Sequence, residues 1–349
     1  MNPTRMPSPS PRRMQGVSLI ELMIGITLGM IIVAALAVLF ANTSASRAEL
    51  ERSSRQIENG RFAMDLLAED LRLAGFYGEL SVLSIPPPGA LVDPCSLVAA
   101  DWATAIPIPL QGYDNGVGRP ACVPGTVQPG TDILVVRRVA TCDAGVGGCA
   151  AVVAGQPYLQ AARCATQVPT VANSYRLGVQ GTAVFDRQLR DCATIANMRQ
   201  YFVHIYFVST DNGQGSAIPT LKRMELTGTG GFTEVPLVEG IEQLNFEYGI
   251  DTDNDGQTNG YTADPNVYNP PGCVGCSALS NWMNVMSVRV NLLARNVDPT
   301  PGYTDSKTYT LGLDVSNAPV TYTPADNYKR HAYSTVVRLV NNSQRRELP

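Results

Sequence analysis

The sequence predicts an α+β protein: one long amino-terminal helix followed by an antiparallel sheet. Three observations carry this. Residues 22–41 form a run of 20 positions without a charge, the length at which an α-helix crosses a hydrocarbon core. The next stretch, NTSASRAELERSSRQIENGRFAMDLLAEDLRLAGF, places apolar residues at steps of three and four, the period of an amphipathic helix. From about residue 200, the runs YFVHIYFVS, LKRMELTG, IEQLNFEYGI, VMSVRVNLLARN, SKTYTLGL and YSTVVRLVNN show alternation and β-branched enrichment, the pattern of strands. Strands grouped after a helix, not interleaved with helices, indicate an antiparallel meander with the helix on one face.

The first 16 residues, MNPTRMPSPSPRRMQG, contain Arg5, Arg12 and Arg13 and no acid. The positive-inside rule keeps such a segment in the cytoplasm and sends the rest outward. The apolar run is too long for the core of a cleaved secretory signal, although A-L-A and A-N-T-S-A-S near its end resemble a cleavage site. Glu21 stands inside the otherwise lipid-compatible stretch GVSLIELMIGITLGMIIVAALAVLFA. A carboxylate at hydrocarbon depth is costly unless it is paired or protonated, so it marks a functional position by default. A plain signal anchor leaves Glu21 unexplained.

In the amphipathic stretch, Leu50, Ile57, Met64, Leu67, Leu71 and Ala74 are expected on the buried face. Arg52, Arg55, Glu58, Arg61, Glu69 and Arg72 are expected on the other, and Gly75 is the expected stop. Gly25, Gly29 and Gly60 are candidate points of bending or close packing.

Residues 77–199 are rich in Pro and Gly and hold Cys95, Cys122, Cys142, Cys149, Cys164 and Cys192; Cys273 and Cys276 follow later. All eight lie beyond the apolar run. An even number confined to one side of a membrane span suits disulfides in an oxidising compartment. Cys142 and Cys149 enclose a Gly-rich loop, and Cys273 and Cys276 form a C-x-x-C; each pair is a candidate local bridge. C-x-x-C also marks zinc or redox sites, but no second Cys or His pair near in sequence completes four zinc ligands. A structural disulfide is preferred there.

The run DTDNDGQTNG begins at Asp251. Asp251, Asp253 and Asp255 alternate, Gly256 permits a sharp turn, Gln257 offers a carbonyl, and Asn259 takes the ninth place. This matches the first half of an EF-hand-type loop for Ca²⁺. The twelfth place is Thr262 instead of Glu, and a strand precedes the loop, so an Asp/Asn/Gly turn joining two strands is the alternative.

With 26 basic and 30 acidic residues the net charge is −4, which argues against direct nucleic-acid binding. His204 and His331 are the only histidines and both fall in strand-like runs, where a structural role is expected. There is no G-x-S-x-G elbow, and LTGTGGF lacks the Gly-Lys-Ser/Thr ending of a phosphate loop. No active site assembles, so the chain is expected not to be an enzyme.

The stretch GVSLIELM resembles the class III signal of type IV prepilins, in which Gly precedes a hydrophobic residue and a fixed interval leads to Glu. NGRFAMDLLAEDLRLAGFYG is similar to the helix end of the PilW family, with Arg61, Ala63, Leu67, Asp70, Leu71, Arg72, Ala74, Gly75 and Phe76 in matching places. IEQLNFEYGIDTDNDG, MSVRVNLLARN and TVVRLVNN keep that family's order. The likeness covers residues 14–81 and 200–342 and fades between them. It implies cleavage by prepilin peptidase between Gly16 and Val17, N-methylation of Val17, and docking of Glu21 against the new amine of a neighbouring subunit. Val17 departs from the usual Phe or Met after the cut. The implied layout is a leader over residues 1–16, a transmembrane half-helix over 17–41, an amphipathic half over 42–76, a disulfide-rich insertion over 77–199 and a sheet-rich pilin body over 200–349. The implied place is the inner membrane in a single pass, with a periplasmic body later incorporated into an extracellular pilus. The implied work is that of a minor pilin in pilus initiation and tip assembly, supporting twitching motility, adhesion and DNA uptake. Its implied partners are other minor pilins, the major pilin, prepilin peptidase and a tip adhesin. A type II secretion pseudopilin shares the signal and helix. A signal-anchored periplasmic binding protein or enzyme would retain its leader and leave Glu21 without a role.

Overall fold

The computed structural model describes residues 16–347, so Arg5, Arg12, Arg13 and the rest of the expected leader before Gly16 lie outside the described residues. The chain divides into two compact units, residues 1–51 and 52–349. One helix, α1 (Leu19–Leu73), runs through both. In the first unit it is exposed from end to end up to residue 47.

In the second unit α1 buries Gln56, Gly60, Ala63, Met64, Leu67, Ala68, Asp70 and Leu71. Two members of the expected stripe do not join them: Leu50 is 70% and Ile57 38% exposed. An α-helix drifts by about 20° per heptad, so residues spaced by seven walk off a straight face. The true face steps back to Gln56 and Gly60. Gln56 Nε2 donates to the carbonyls of Ala294 (2.8 Å) and Lys329 (2.9 Å), anchoring this polar position. The helix stops as expected at Gly75, whose φ of +70° is left-handed. Its N–H donates to the Arg137 carbonyl at 2.9 Å.

Thirteen strands follow. Seven form one sheet: β1 (Leu110–Tyr113), β2 (Ile133–Val139), β3 (Pro157–Ala161), β4 (Tyr175–Val179), β5 (Met198–Ser209), β6 (Thr220–Leu226) and β7 (Phe232–Glu239). β5 is its hub and pairs antiparallel with β2, β3 and β6. A second sheet has the order β13 (Arg330–Arg338), β10 (Val285–Arg295), β8 (Ile241–Ile250), β9 (Gly260–Thr262). β11 (Tyr309–Leu313) and β12 (Pro319–Tyr322) make a separate hairpin. The short helices are α2 (Ala99–Thr104), α3 (Val171–Ser174), α4 (Ala278–Met283) and α5 (Val340–Glu347).

The expected single meander is thus two sheets, and residue 200 is no structural boundary. The segment read as an insertion supplies β1–β4, and β5 crosses the division. The physical reason lies in β2. Leu134 and Val136 join a core formed with α1 and the second sheet, whereas Ile133, Val135 and Val139 join another with Trp102, Ile106 and Tyr77. A strand buried on both faces reads as a continuous apolar run and not as an alternation. In β8 the alternation is clean: Leu244, Phe246, Tyr248 and Ile250 enter the core shared with α1.

Asp132 ties the sheets together. Its N–H donates to the Leu244 carbonyl (2.9 Å), and its carboxylate accepts the N–H groups of Asn115 (2.9 Å) and Phe246 (2.7 Å). Burial pushes this carboxyl up to about 8 despite those two donors. An unfolded Asp titrates near ~4. Between the two values the native state binds the extra proton, so this contribution to stability declines as pH rises. The stability difference between wild type and Asp132→Asn is therefore expected to shrink from about pH 4 to about pH 8 in urea titrations. A flat difference would exclude the proton.

Gly60 makes room for Tyr333. A Cβ at residue 60 would lie 2.3 Å from the Tyr333 ring, which is held by its hydroxyl on the Ile57 carbonyl (3.3 Å) and by an edge contact with His331. Overpacking of about 1–3 kcal/mol exceeds the roughly 1 kcal/mol helical gain from alanine. Gly60→Ala should lower the melting temperature, and in a Tyr333→Ala background the same change should be neutral or stabilising.

Candidate functional site

The amino-terminal end of α1 is built from very few polar groups. Gly16, Val17 and Ser18 are exposed and precede the helix without regular structure. The Leu22 N–H donates to the Ser18 carbonyl at 3.0 Å and closes the first turn. Glu21 sits in that turn, where the unpaired N–H groups of the helix favour an anion. Ser18 and Glu21 also have the S-x-x-E spacing of a capping box, a signal the sequence reading passed over. Thr27 and Thr43 return their hydroxyls to the carbonyls of Met23 (3.0 Å) and Leu39 (2.8 Å), as a helix in lipid requires. Glu21 is the only charged residue from 17 to 46. Around it, Leu19, Ile24, Leu28 and Ile31 are all exposed. Among the described residues α1 is the one helix long and apolar enough to cross a membrane.

The other end of α1 carries a buried polar node of the body. Asp70 is buried; its Oδ2 receives the Tyr206 hydroxyl (2.8 Å) and bonds His204 Nδ1 (2.8 Å), and its Oδ1 receives Arg138 Nε. Burial alone would raise the Asp70 carboxyl, but His204 and Arg138 outweigh it and hold the group well below the ordinary carboxylate range. His204, buried in β5, is therefore a partner of the helix. Its ring also lies beside Phe202 and Tyr206. His331 lies exposed on β13.

A family model described as type IV pilus-assembly protein W matches residues 205–341, and a prokaryotic N-terminal methylation motif matches residues 11–37. These two matches support a PilW-like minor pilin of the type IV pilus. A solved structure of a type IV-like pilin from Thermus thermophilus is similar over 83% of this chain and 98% of its own, at 13% identity and a TM-score of 0.38. The assignment rests on the two sequence models. A search of curated proteins found no match. As a pilin the protein is a membrane-anchored structural subunit that associates with other pilins in a fibre.

The other residues singled out in the pilin's sequence fall in two groups. All eight cysteines pair: Cys95 with Cys122, Cys142 with Cys149, Cys164 with Cys192 and Cys273 with Cys276. The carboxylates of Asp251, Asp253 and Asp255 converge within 4.8 Å of one another. The loop also closes on itself. Asp251 accepts the N–H groups of Asp253 (3.2 Å), Asn254 (2.6 Å) and Gly256 (2.9 Å). Asn259 accepts from Thr252 N–H (2.7 Å) and donates to Asp253 (3.2 Å), while the Gln257 N–H donates to Asp255 (2.7 Å). Thr262 lies in β9 and its hydroxyl donates to the Asp264 carbonyl (3.3 Å), so no carboxylate fills the twelfth place. The oxygen donors suit Ca²⁺ by type, but the bidentate ligand is lacking.

Asp70→Asn would leave Arg138 as a partly buried cation with no carboxylate. Breaking such a pair costs about 3–5 kcal/mol, a loss readable in the urea midpoint. Because the Asp70 carboxyl is held low in the native state, the difference between wild type and variant should be full above about pH 4 and decline as pH falls further.

Proposed function

We propose that this pilin acts at the start of the fibre, joining other minor pilins in a complex that primes assembly and remains at the tip. The observation that carries the reading is a single carboxylate, Glu21, on an otherwise uncharged and fully exposed apolar helix, four residues beyond Val17 in a prepilin-type motif. Cleavage after Gly16 would turn Val17 into a charged, N-methylated terminus. When two such helices pack in lipid, the amine of one subunit meets Glu21 of the other, and each charge loses its desolvation penalty to the same contact. The pair also sets the axial register, since any other register leaves both charges alone in hydrocarbon.

The terminal position follows from bulk. Four strands from residues 77–199 widen the body's larger sheet. A head broadened in this way is hard to repeat at the close axial spacing of a shaft but fits at an end. The body is periplasmic before assembly and extracellular afterwards, which suits four disulfides. Twitching motility, adhesion and DNA uptake then depend on this pilin through the fibre, and a tip adhesin would dock on the widened head. The match over residues 205–341 favours the pilus over a type II secretion system.

Amino-terminal mass analysis of membranes and sheared pili tests this directly. The expected species begins at N-methylated Val17 in both fractions. Glu21→Ala should keep the protein in membranes and remove it from pili. An unprocessed terminus in pili, or normal incorporation of the variant, would overturn the reading.

A further inference from the structure

Two cavities, of about 200 and 290 Å³, meet at the Glu79–Arg163 ion pair on the disulfide-rich side of the body. Together they have the scale of a small-molecule cleft. Apolar side chains line both, with Leu159 and Ala161 of β3 in one and Leu80 and the exposed Val168 in the other. Their rims carry planar groups that each present two parallel polar atoms. Arg163 and Glu79 stand between the lobes, and Asp143, Asn197 and Arg199 line the smaller one. Groups of this shape bridge neighbouring hydroxyls in a bidentate manner.

The rims are held before any ligand arrives. Asp143 follows Cys142 of one disulfide, Arg163 precedes Cys164 of another, and Arg190 lies two residues before that bridge's other end, Cys192. The N–H groups of Arg163 and Cys164 both donate to the Gln188 carbonyl (2.8 and 3.1 Å). Arg199 pairs with Asp143 at 2.9 Å, and Asn197 Nδ2 donates to the same carboxylate at 3.0 Å. A cleft ordered in advance loses less entropy on binding.

The charges are unequal. Glu79 and Asp143 are matched by Arg163 and Arg199. Arg190, exposed at the lip of the larger lobe, has no ionic partner among the described residues. Its neighbour Asp191 is turned away, accepting the N–H groups of Ala193 (3.1 Å) and Thr194 (2.9 Å). The cleft therefore has one cationic charge in excess beside an array suited to hydroxyls.

We propose that this double cleft binds an acidic saccharide, with ring hydroxyls on the Glu79–Arg163 rim and the sugar carboxylate on Arg190. The site lies apart from α1 and is independent of the docking role of Glu21. Saturation-transfer NMR and calorimetry on the full chain in detergent test it, using glucuronate, galacturonate and N-acetylneuraminate, with glucose and acetate as controls. At least one acidic sugar should bind at millimolar concentration, and glucose and acetate should each bind about tenfold more weakly or not at all. Arg190→Ala should weaken the acidic sugar about tenfold with an unchanged melting temperature. Glu79→Gln should weaken it too, through the hydroxyls alone. Failure of all three acidic sugars, equal binding of acetate, or full affinity in Arg190→Ala would overturn the proposal.

Discussion

A helix that is apolar on every side cannot be left in water, and the described residues of the first unit offer it nothing to lie against. Everything else follows from that constraint. From residue 17 to residue 46 the helix carries a single charge, Glu21, and all of its large side chains are exposed. Lipid satisfies the apolar surface, and the threonine hydroxyls satisfy themselves on the helix backbone. Only the carboxylate is left over. It stands in the first turn, five residues after a glycine in an N-terminal methylation motif, where the proposed docking onto a neighbouring amine would use it. A charge that is costly everywhere except beside one complementary terminus is a strong device for register.

The carboxy-terminal part of the same helix meets the opposite situation. Its face is covered by two sheets, and the polar groups on that face must find partners inside the protein. Gln56 finds two backbone carbonyls, and Asp70 finds Arg138, His204 and Tyr206. These contacts join a helical residue to strands far away in the chain, so they set how the helix rotates on the sheet. Asp132 does the same between the sheets with backbone donors instead of charged ones. The two carboxyls then respond to pH in opposite senses. One is held ionised by cations, and the other is pushed toward the neutral form by burial.

The Cys-rich middle segment is part of the body's architecture. Its β2 is buried on both faces and pairs with β5, and its β1 lies so close to β8 that a Cβ on Gly112 would strike the Tyr248 hydroxyl. The disulfides sit around this framework at its loops. They hold the charged rims of the double cleft, which places a small recess outside the residues that the family model matches.

Much of this was legible in the sequence. The membrane run, the processing motif, the exceptional Glu21, the helix stop at Gly75 and the alternating strands of the second sheet are all local patterns, and local patterns survive in one dimension. The two short-range disulfides belong to the same class, since few residues separate their partners. The observed helix face differs from the expected one because Leu50 and Ile57 are apolar yet stay exposed. The doubly buried β2 has no alternation to show along the chain. By itself the sequence determined which segment must leave water, where it carries charge, and which strands alternate apolar and polar side chains. Only the tertiary structure decided that residues 77–199 complete the larger sheet, that Asp70 meets His204, and that Arg163, Arg190 and Asp143 line one cleft. Those are meetings of distant residues, and no period or spacing along the chain encodes the partner across the core.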